Sequence, residues 1–224
     1  NLQSITYHKE IQMTGTNFIS VFLNSLISPP RLSSDKNPEQ FLGQVFPCTD
    51  DEILPFVSAL SGGRLCANFP WSFTVGSLDC FILLQTEKGC GKLLLDEQIY
   101  PLNAGSFLLL DCKQQFRMDI ASEPWVYQVV FCHGVSLPYY RQLLSGNRFY
   151  IFHTFPFSDI SVSMERLLKL FPGVLPSQKL LIADFINHII TSCIVSSLTG
   201  EKCPPERLKK FAFFSSMNFK SPIP

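Results

Sequence analysis

GCGKLLLDEQIYPLNAGSFLLLD, residues 89–111, holds three short apolar runs separated by two tight turns. Gly89, Gly91 and Gly105 are read as turn residues, because glycine takes positive φ without a steric penalty. Asp96-Glu97 separates KLLL (92–95) from QIYPL (98–102), which predicts a hairpin. Pro101 has no backbone donor, so its strand is expected at an edge or bulge. Leucines 93–95 and 108–110 are expected to pack on both faces of a sheet. The segment demands geometry and offers almost no chemistry.

The same pattern continues on either side. ILPFVSAL (53–60), RLCANF (64–69), SFTV (72–75) and CFILLQ (80–85) precede it; QFRMDI (115–120) and WVYQVVF (125–131) follow. Each is bounded by turn residues such as SGG, GSLD, TEKGCG or Glu123-Pro124. Seven or more short strands with frequent turns predict an antiparallel sandwich or barrel. In the 125–131 strand, alternation puts Trp125, Tyr127, Val129 and Phe131 on one face and Val126, Gln128 and Val130 on the other.

The period then changes to that of a helix. Ile160, Met164, Leu167, Leu168 and Phe171 share a face over 158–171, with Ser158 as N-cap and Pro172-Gly173 as the stop. Over 176–200, Ile182, Ile186, Ile189 and Cys193 recur at 4-3-4 spacing, Ser177 is the expected N-cap and Gly200 the C′ residue. Phe185 and Ile190 widen that stripe, so part of it is expected to meet a second subunit, with packing on the chain's own sheet as the other reading. PPERLKKFAFFSSMNF (204–219) predicts a further helix opening at Pro204-Pro205. Near the start, Phe18, Val21, Phe22 and Leu23 mark a short helix or strand ended by Pro29-Pro30, and 29–40 reads as a loop. The expected units are an N-terminal segment or arm (1–49), a barrel (50–157), a helical segment (158–203) and a linker helix (204–224).

Composition narrows the function. The 224 residues are 46% hydrophobic, with 21 phenylalanines and 16% charged residues. Lys+Arg and Asp+Glu are 18 each, so there is no overall basic footprint for nucleic acid. The eight cysteines are scattered without a C-x-x-C, which reads as reduced core thiols of a cytoplasmic protein. No basic stretch leading into an apolar run opens the chain, so no leader is expected. The apolar run 180–198 is broken by Asp184, Asn187 and His188, a poor membrane span. The four histidines lack metal-site spacing, and no metal or other cofactor is expected. Asp50-Asp51-Glu52 reads as a solvated turn. Cys132 and His133, adjacent on one strand, point to opposite faces and make a poor nucleophile pair. Neither a G-x-S-x-G elbow nor a phosphate-binding loop occurs.

The hairpin GCGKLLLDEQIYPLNAGSFLLL resembles that of the cupin barrel in AraC-type transcription regulators, where a G-x-G turn, a strand, a polar turn, Y-P-L, a glycine and an aliphatic strand follow in order. EPWVY (123–127), running on to His133-Gly134, is similar to a second family segment. The resemblance covers about residues 60 to 222. It implies a mainly β fold with C-terminal helices (α+β): a cupin-like antiparallel barrel or jelly roll, then a helical dimerisation segment. It implies no enzyme. A small effector, sugar-like or aromatic, would bind inside the barrel, at Trp125, Tyr127 and Val129 with Phe73, Thr74, Phe81, Phe116 and Met118. A homodimer would form through Ile182, Ile186, Ile189 and Cys193. DNA would be reached only through a helix-turn-helix domain that these residues do not contain, with 204–224 as the lead-in. Metal-binding cupins carry G-x5-H-x-H-x3-E, and nothing like it follows Gly91. The competing readings are a metal-dependent cupin enzyme, such as a sugar isomerase or dioxygenase, and a jelly roll that only mediates protein contacts.

Overall fold

The computed structural model describes residues 15–32, 42–45, 56–144, 147–171 and 175–199. Helix α1 (Gly15–Ser25) comes first. Eight strands follow: β1 (Gln44–Val45), β2 (Ser58–Ala67), β3 (Ser72–Val75), β4 (Phe81–Leu95), β5 (Gln98–Asn103), β6 (Ser106–Asp111), β7 (Phe116–His133) and β8 (Phe149–His153). Helix α2 (Leu137–Leu143) lies between β7 and β8, and α3 (Asp159–Lys169) and α4 (Pro176–Thr199) come last. All pairings are antiparallel. The strands run in the order β1-β2-β7-β4-β6-β8, with β3 added to β7 and β5 added to β4.

The hairpin of β4 and β5 closes at Leu95↔Gln98 with Asp96 and Glu97 both at positive φ (47° and 67°). A two-residue turn of this kind matches the right-handed twist of its strands. Pro101 sits on β5, which pairs only with β4, so its missing N–H costs no ladder bond. Gly89 (φ 74°) and Gly105 (φ 83°) take the left-handed conformation. Gly91 does not. It is needed because a Cβ there would stand 2.3 Å from Cζ2 of Trp125: the indole lies on the bare backbone.

Three expected strand pairs are single long strands: the end of ILPFVSAL runs through SGG into RLCANF as β2. CFILLQ and KLLL are both β4, which passes through TEKGCG as strand, and QFRMDI and WVYQVVF are both β7. The register slips three times between Thr86 and Gly91. Across the slip the inward set changes parity: Ile82 and Leu84 face in before it, Leu93 and Leu95 after. On β7, Phe116, Met118 and Ile120 give way to Trp125, Tyr127, Val129 and Phe131. These bulges bend both strands together and let one sheet roll around its own apolar face.

Two cores result. The inner one holds Trp71, Phe73, Leu84, Leu108, Trp125 and their neighbours. The outer one packs Phe81, Leu83, Phe107, Leu109 and Val130 against α2, α3 and α4. β6 serves both, with Leu108 and Leu110 inward and Leu109 outward.

At the helix starts, Ser158 caps α3 as its sequence suggests, accepting from the Ser161 N–H. Ser177 is not the cap of α4. Leu175 holds that place: its carbonyl accepts from Gln178 and Lys179 N–H, and Gln178 Oε1 accepts from the Leu175 N–H. Pro176 follows at the first helical position, where its absent N–H is harmless. The short α2 and β8 carry weak periodicity and were not expected. The Asp50–Glu52 turn, the α3 stop, Gly200 and the 204–219 helix lie outside the described residues.

Candidate functional site

The barrel interior is an aromatic chamber packed with side chains. Trp125 and Tyr127, two apart on β7, stack with centroids 4.3 Å apart. Trp71 stands edge-on to Trp125 at 5.1 Å and to Phe73 at 5.2 Å. Phe73 meets Phe116 at 6.2 Å. Such edge-to-face pairs suit the ring quadrupoles. Met118 and Val129 complete this wall, both buried. Helix α1 closes the chamber. Its Phe18 lies 5.2 Å from Phe131, and Phe22 contacts Phe131 (6.0 Å) and Phe73 (5.8 Å). Phe18 and Phe22 are fully buried.

The polar atoms of the chamber are few and committed. Trp125 Nε1 donates to Thr86 Oγ1 at 3.2 Å. The Ser61 hydroxyl donates to the Leu42 carbonyl. Burial pushes the Tyr127 phenol far above its ordinary range, so it stays protonated.

Six of the eight expected ligand residues thus share one interior: Trp125, Tyr127, Val129, Phe73, Phe116 and Met118. Two do not. Thr74 follows Phe73 on β3 and points the other way; its carbonyl accepts from the Ile27 N–H at 3.0 Å. Phe81 belongs to the helix-facing core, with the Arg141 guanidinium 5.4 Å from its ring centroid. The period of two along each strand explains both corrections. Sequence reasoning missed Trp71, although it alternates with Phe73 and Val75, and it missed Thr86. Phe18 and Phe22 were noted as apolar without a role.

The expected dimer residues also need correction. Ile182, Ile186, Ile189 and Cys193 are buried in the outer core, where α4 meets the sheet and α3. By length and composition alone α4 could cross a membrane; here Ile182, Ile186, Ile189, Ile190 and Ile194 are buried in the core, while Leu180, Leu181, Val195 and Leu198 are exposed.

At the far end of the sheet, Arg141 bridges Asp79 (2.8 Å) and Asp111 (3.0 Å). His133 Nδ1 lies 2.5 Å from the Asp79 carbonyl oxygen, a strand-end hydrogen bond. Among the described residues, no group of three His, Cys, Asp or Glu side chains is placed to hold a metal.

Residues 66–174 match the family model of the AraC-like ligand binding domain. No curated protein matches the chain. Among solved structures, the AraC-like transcriptional activator CuxR is similar at 10% identity and a TM-score of 0.51, over 85% of this chain and 72% of that one. Apo ToxT K231A from Vibrio cholerae is similar at 11% identity and a TM-score of 0.47, over 76% and 68%. At this identity the likeness to CuxR is one of fold, the cupin-like barrel with helices on its outer face. The chain is thus similar to the AraC-like ligand binding domain over residues 66–174, just under half of its length.

Proposed function

We propose that this chain senses an apolar or aromatic small molecule inside its barrel, and passes the signal to the helices of a dimeric, cytoplasmic transcription regulator without chemical change to the guest. The observation that carries this reading is the chamber lined by Trp71, Trp125 and Tyr127 and closed by Phe18 and Phe22 of α1. Helix α1 is held to the sheet chiefly by these rings and by short bridges after it, at Leu26↔Val75 and Arg31↔Ser72. An effector enters by taking the place of the phenylalanines, and α1 shifts in response. A sugar fits this lining poorly. Its hydroxyls would lose water and find donors and acceptors that are already paired, at about 1 to 3 kcal/mol for each one left unmet.

Dimerisation is assigned to the other side of α4. Leu181, Asp184, His188, Thr191, Val195 and Leu198 are exposed and follow 3-4-3-4-3 spacing, the pattern of a helix-pairing seam. DNA contact is assigned to a helix-turn-helix pair, a unit that the described residues do not contain.

The chain has only two tryptophans, and both line the chamber. Intrinsic fluorescence therefore reads the site directly. Titration with apolar aromatic and aliphatic molecules is expected to change the emission and raise the melting temperature, while sugars leave both unchanged. The packed interior also favours a second reading, a barrel that only mediates protein contacts. That reading prevails if no apolar molecule moves either signal.

A further inference from the structure

Helix α1 carries GTNFISVFLNS, and its Phe18 and Phe22 stand one turn apart with no exposed surface. Ser20 and Asn24 face solvent. Eleven residues are too few for a helix to persist in water alone, so α1 keeps its shape by docking. Backbone ties to β3 and the residue after it hold its C-terminal end. The Gly76 N–H donates to the Ser25 carbonyl at 2.8 Å, and the Ile27 N–H to the Thr74 carbonyl at 3.0 Å. The two phenylalanines therefore sit on a short lever with its pivot at Ser25.

Three observations define what can take their place. First, the rings form one two-ring unit, with centroids 6.1 Å apart and planes tilted by 52°. Second, their partners are aromatic. Phe18 lies 5.2 Å from Phe131, and Phe22 stands edge-on to Phe131 at 6.0 Å and to Phe73 at 5.8 Å. Such pairs favour a ring over a saturated group of equal size. Third, the polar atoms of the chamber are already committed, Trp125 Nε1 to Thr86 and the Ser61 hydroxyl to the Leu42 carbonyl. A replacement gains nothing from a charge or a hydroxyl there.

We propose that Phe18 and Phe22 are a built-in stand-in for the effector, and that the effector is an uncharged molecule with two aromatic rings on a short flexible tether. The inference rests on the reading of the chamber as the effector site; it adds the shape of the guest and names α1 as its competitor. A two-ring guest restores the edge contacts of Phe73 and Phe131 when α1 leaves. A single ring fills half of the space. Because α1 holds the place in the resting state, it lowers the apparent affinity by the fraction of molecules in which it is seated.

The test titrates three probes into the full chain and follows tryptophan emission: bibenzyl (two phenyl rings on a two-carbon tether), hexylbenzene (one ring replaced by a saturated chain) and toluene. Bibenzyl is expected to bind about fivefold more tightly than hexylbenzene and at least about tenfold more tightly than toluene. It should also speed chymotrypsin cleavage after Phe18 and Phe22, read by mass spectrometry, because α1 is displaced. Ser20→Pro breaks α1 from its solvent side without altering the chamber. It should tighten bibenzyl binding by about tenfold, the opposite of what losing a binding element does. Equal binding of bibenzyl and hexylbenzene, cleavage at Phe18 and Phe22 that bibenzyl leaves unchanged or slows, or weaker binding in Ser20→Pro overturns the proposal. The probe comparison and the cleavage assay use the unaltered chain and stand even if the variant fails to fold. If hexylbenzene and toluene move the emission while bibenzyl does not, this inference falls and the chamber reading survives. If no probe moves it, both fall.

Discussion

Trp125 Nε1 donates its hydrogen bond to Thr86 Oγ1, and from that contact a continuous polar path leads out of the chamber to α3. The Thr86 carbonyl accepts the Gly105 N–H at 2.8 Å, and the Gly105 carbonyl accepts the Thr154 N–H at 2.7 Å. Gln85, next to Thr86 but on the opposite face, donates to Thr154 Oγ1 (3.1 Å) and Ser161 Oγ (2.7 Å). Ser161 in turn donates its N–H to Ser158, the N-cap of α3. A rigid ladder of this kind couples the tilt of an indole to the start of a helix.

Thr86→Val keeps the side-chain shape and removes the acceptor. The buried indole N–H then has no partner, at a cost of about 1 to 3 kcal/mol. Chemical denaturation should show the loss, and the tryptophan emission should change in the native state. Gln85→Leu should leave the emission unchanged, because Gln85 lies outside the chamber, yet lower stability by cutting the link to Ser161. If both variants alter the emission equally, the path does not run as described.

Gly91 and Gly76 give a paired test of the chamber wall. A Cβ at Gly91 would sit within 2.3 to 2.5 Å of three Trp125 ring atoms, whereas at Gly76 the nearest atom is 3.4 Å away. Gly91→Ala must displace a fully buried indole and is expected to cost about 1 to 3 kcal/mol, with a changed near-ultraviolet circular dichroism spectrum. Gly76→Ala should fall within about 0.5 kcal/mol of the parent. Equal melting temperatures for the two variants would mean that the indole has room to move.

Local chemistry explains what the sequence made legible. The hairpin, the edge position of Pro101 and the Ser158 cap depend on residues within a few positions of each other. The alternation on β7 correctly grouped Trp125, Tyr127, Val129 and Phe131. The continuity of β4 and β7 was hidden, because TEKGCG and SEP look like turns and only the bulged register against the partner strand keeps them extended. Phe81 was misplaced for a related reason: an uninterrupted apolar run, CFILLQ, has no polar residues to say which face is which. The α4 stripe was visible as a stripe, but its spacing does not say whether it meets a sheet or a second subunit. Closure of the chamber by α1 depends on contacts more than fifty residues apart, which no local pattern encodes.

The thiols predict an alkaline limit to stability. Burial raises the pKa of Cys132 and Cys193 well above 9, the ordinary value for a thiol, and Cys112 moves the same way beside Cys80. In the unfolded chain these groups ionise above about pH 9 while in the native state they stay protonated. The unfolded state then binds fewer protons, so stability is intact below pH 9 and falls as the pH rises beyond it. Melting temperatures measured across that range should fall, and less steeply in Cys132→Ala relative to its own value at neutral pH. In the native protein near pH 8, iodoacetamide should label the less buried Cys66 and Cys90 before Cys112, Cys132 or Cys193, as read by mass spectrometry.

The two faces of α4 make opposite predictions, and together they decide where a partner subunit docks. Ile186 is fully buried against the sheet, so Ile186→Ala leaves a cavity and should cost about 2 to 5 kcal/mol in unfolding experiments. Its effect on association should be no more than that lost stability implies. Leu181 and Val195 are 49% and 51% exposed and fourteen residues apart, four turns of helix along one seam. Leu181→Glu and Val195→Glu introduce charge without touching the core, so the melting temperature of the monomer should barely change. Each should instead weaken self-association by about tenfold or more in sedimentation equilibrium, since a carboxylate at such a seam loses water without gaining a partner. A dimer that tolerates both glutamates would move the interface off α4 altogether.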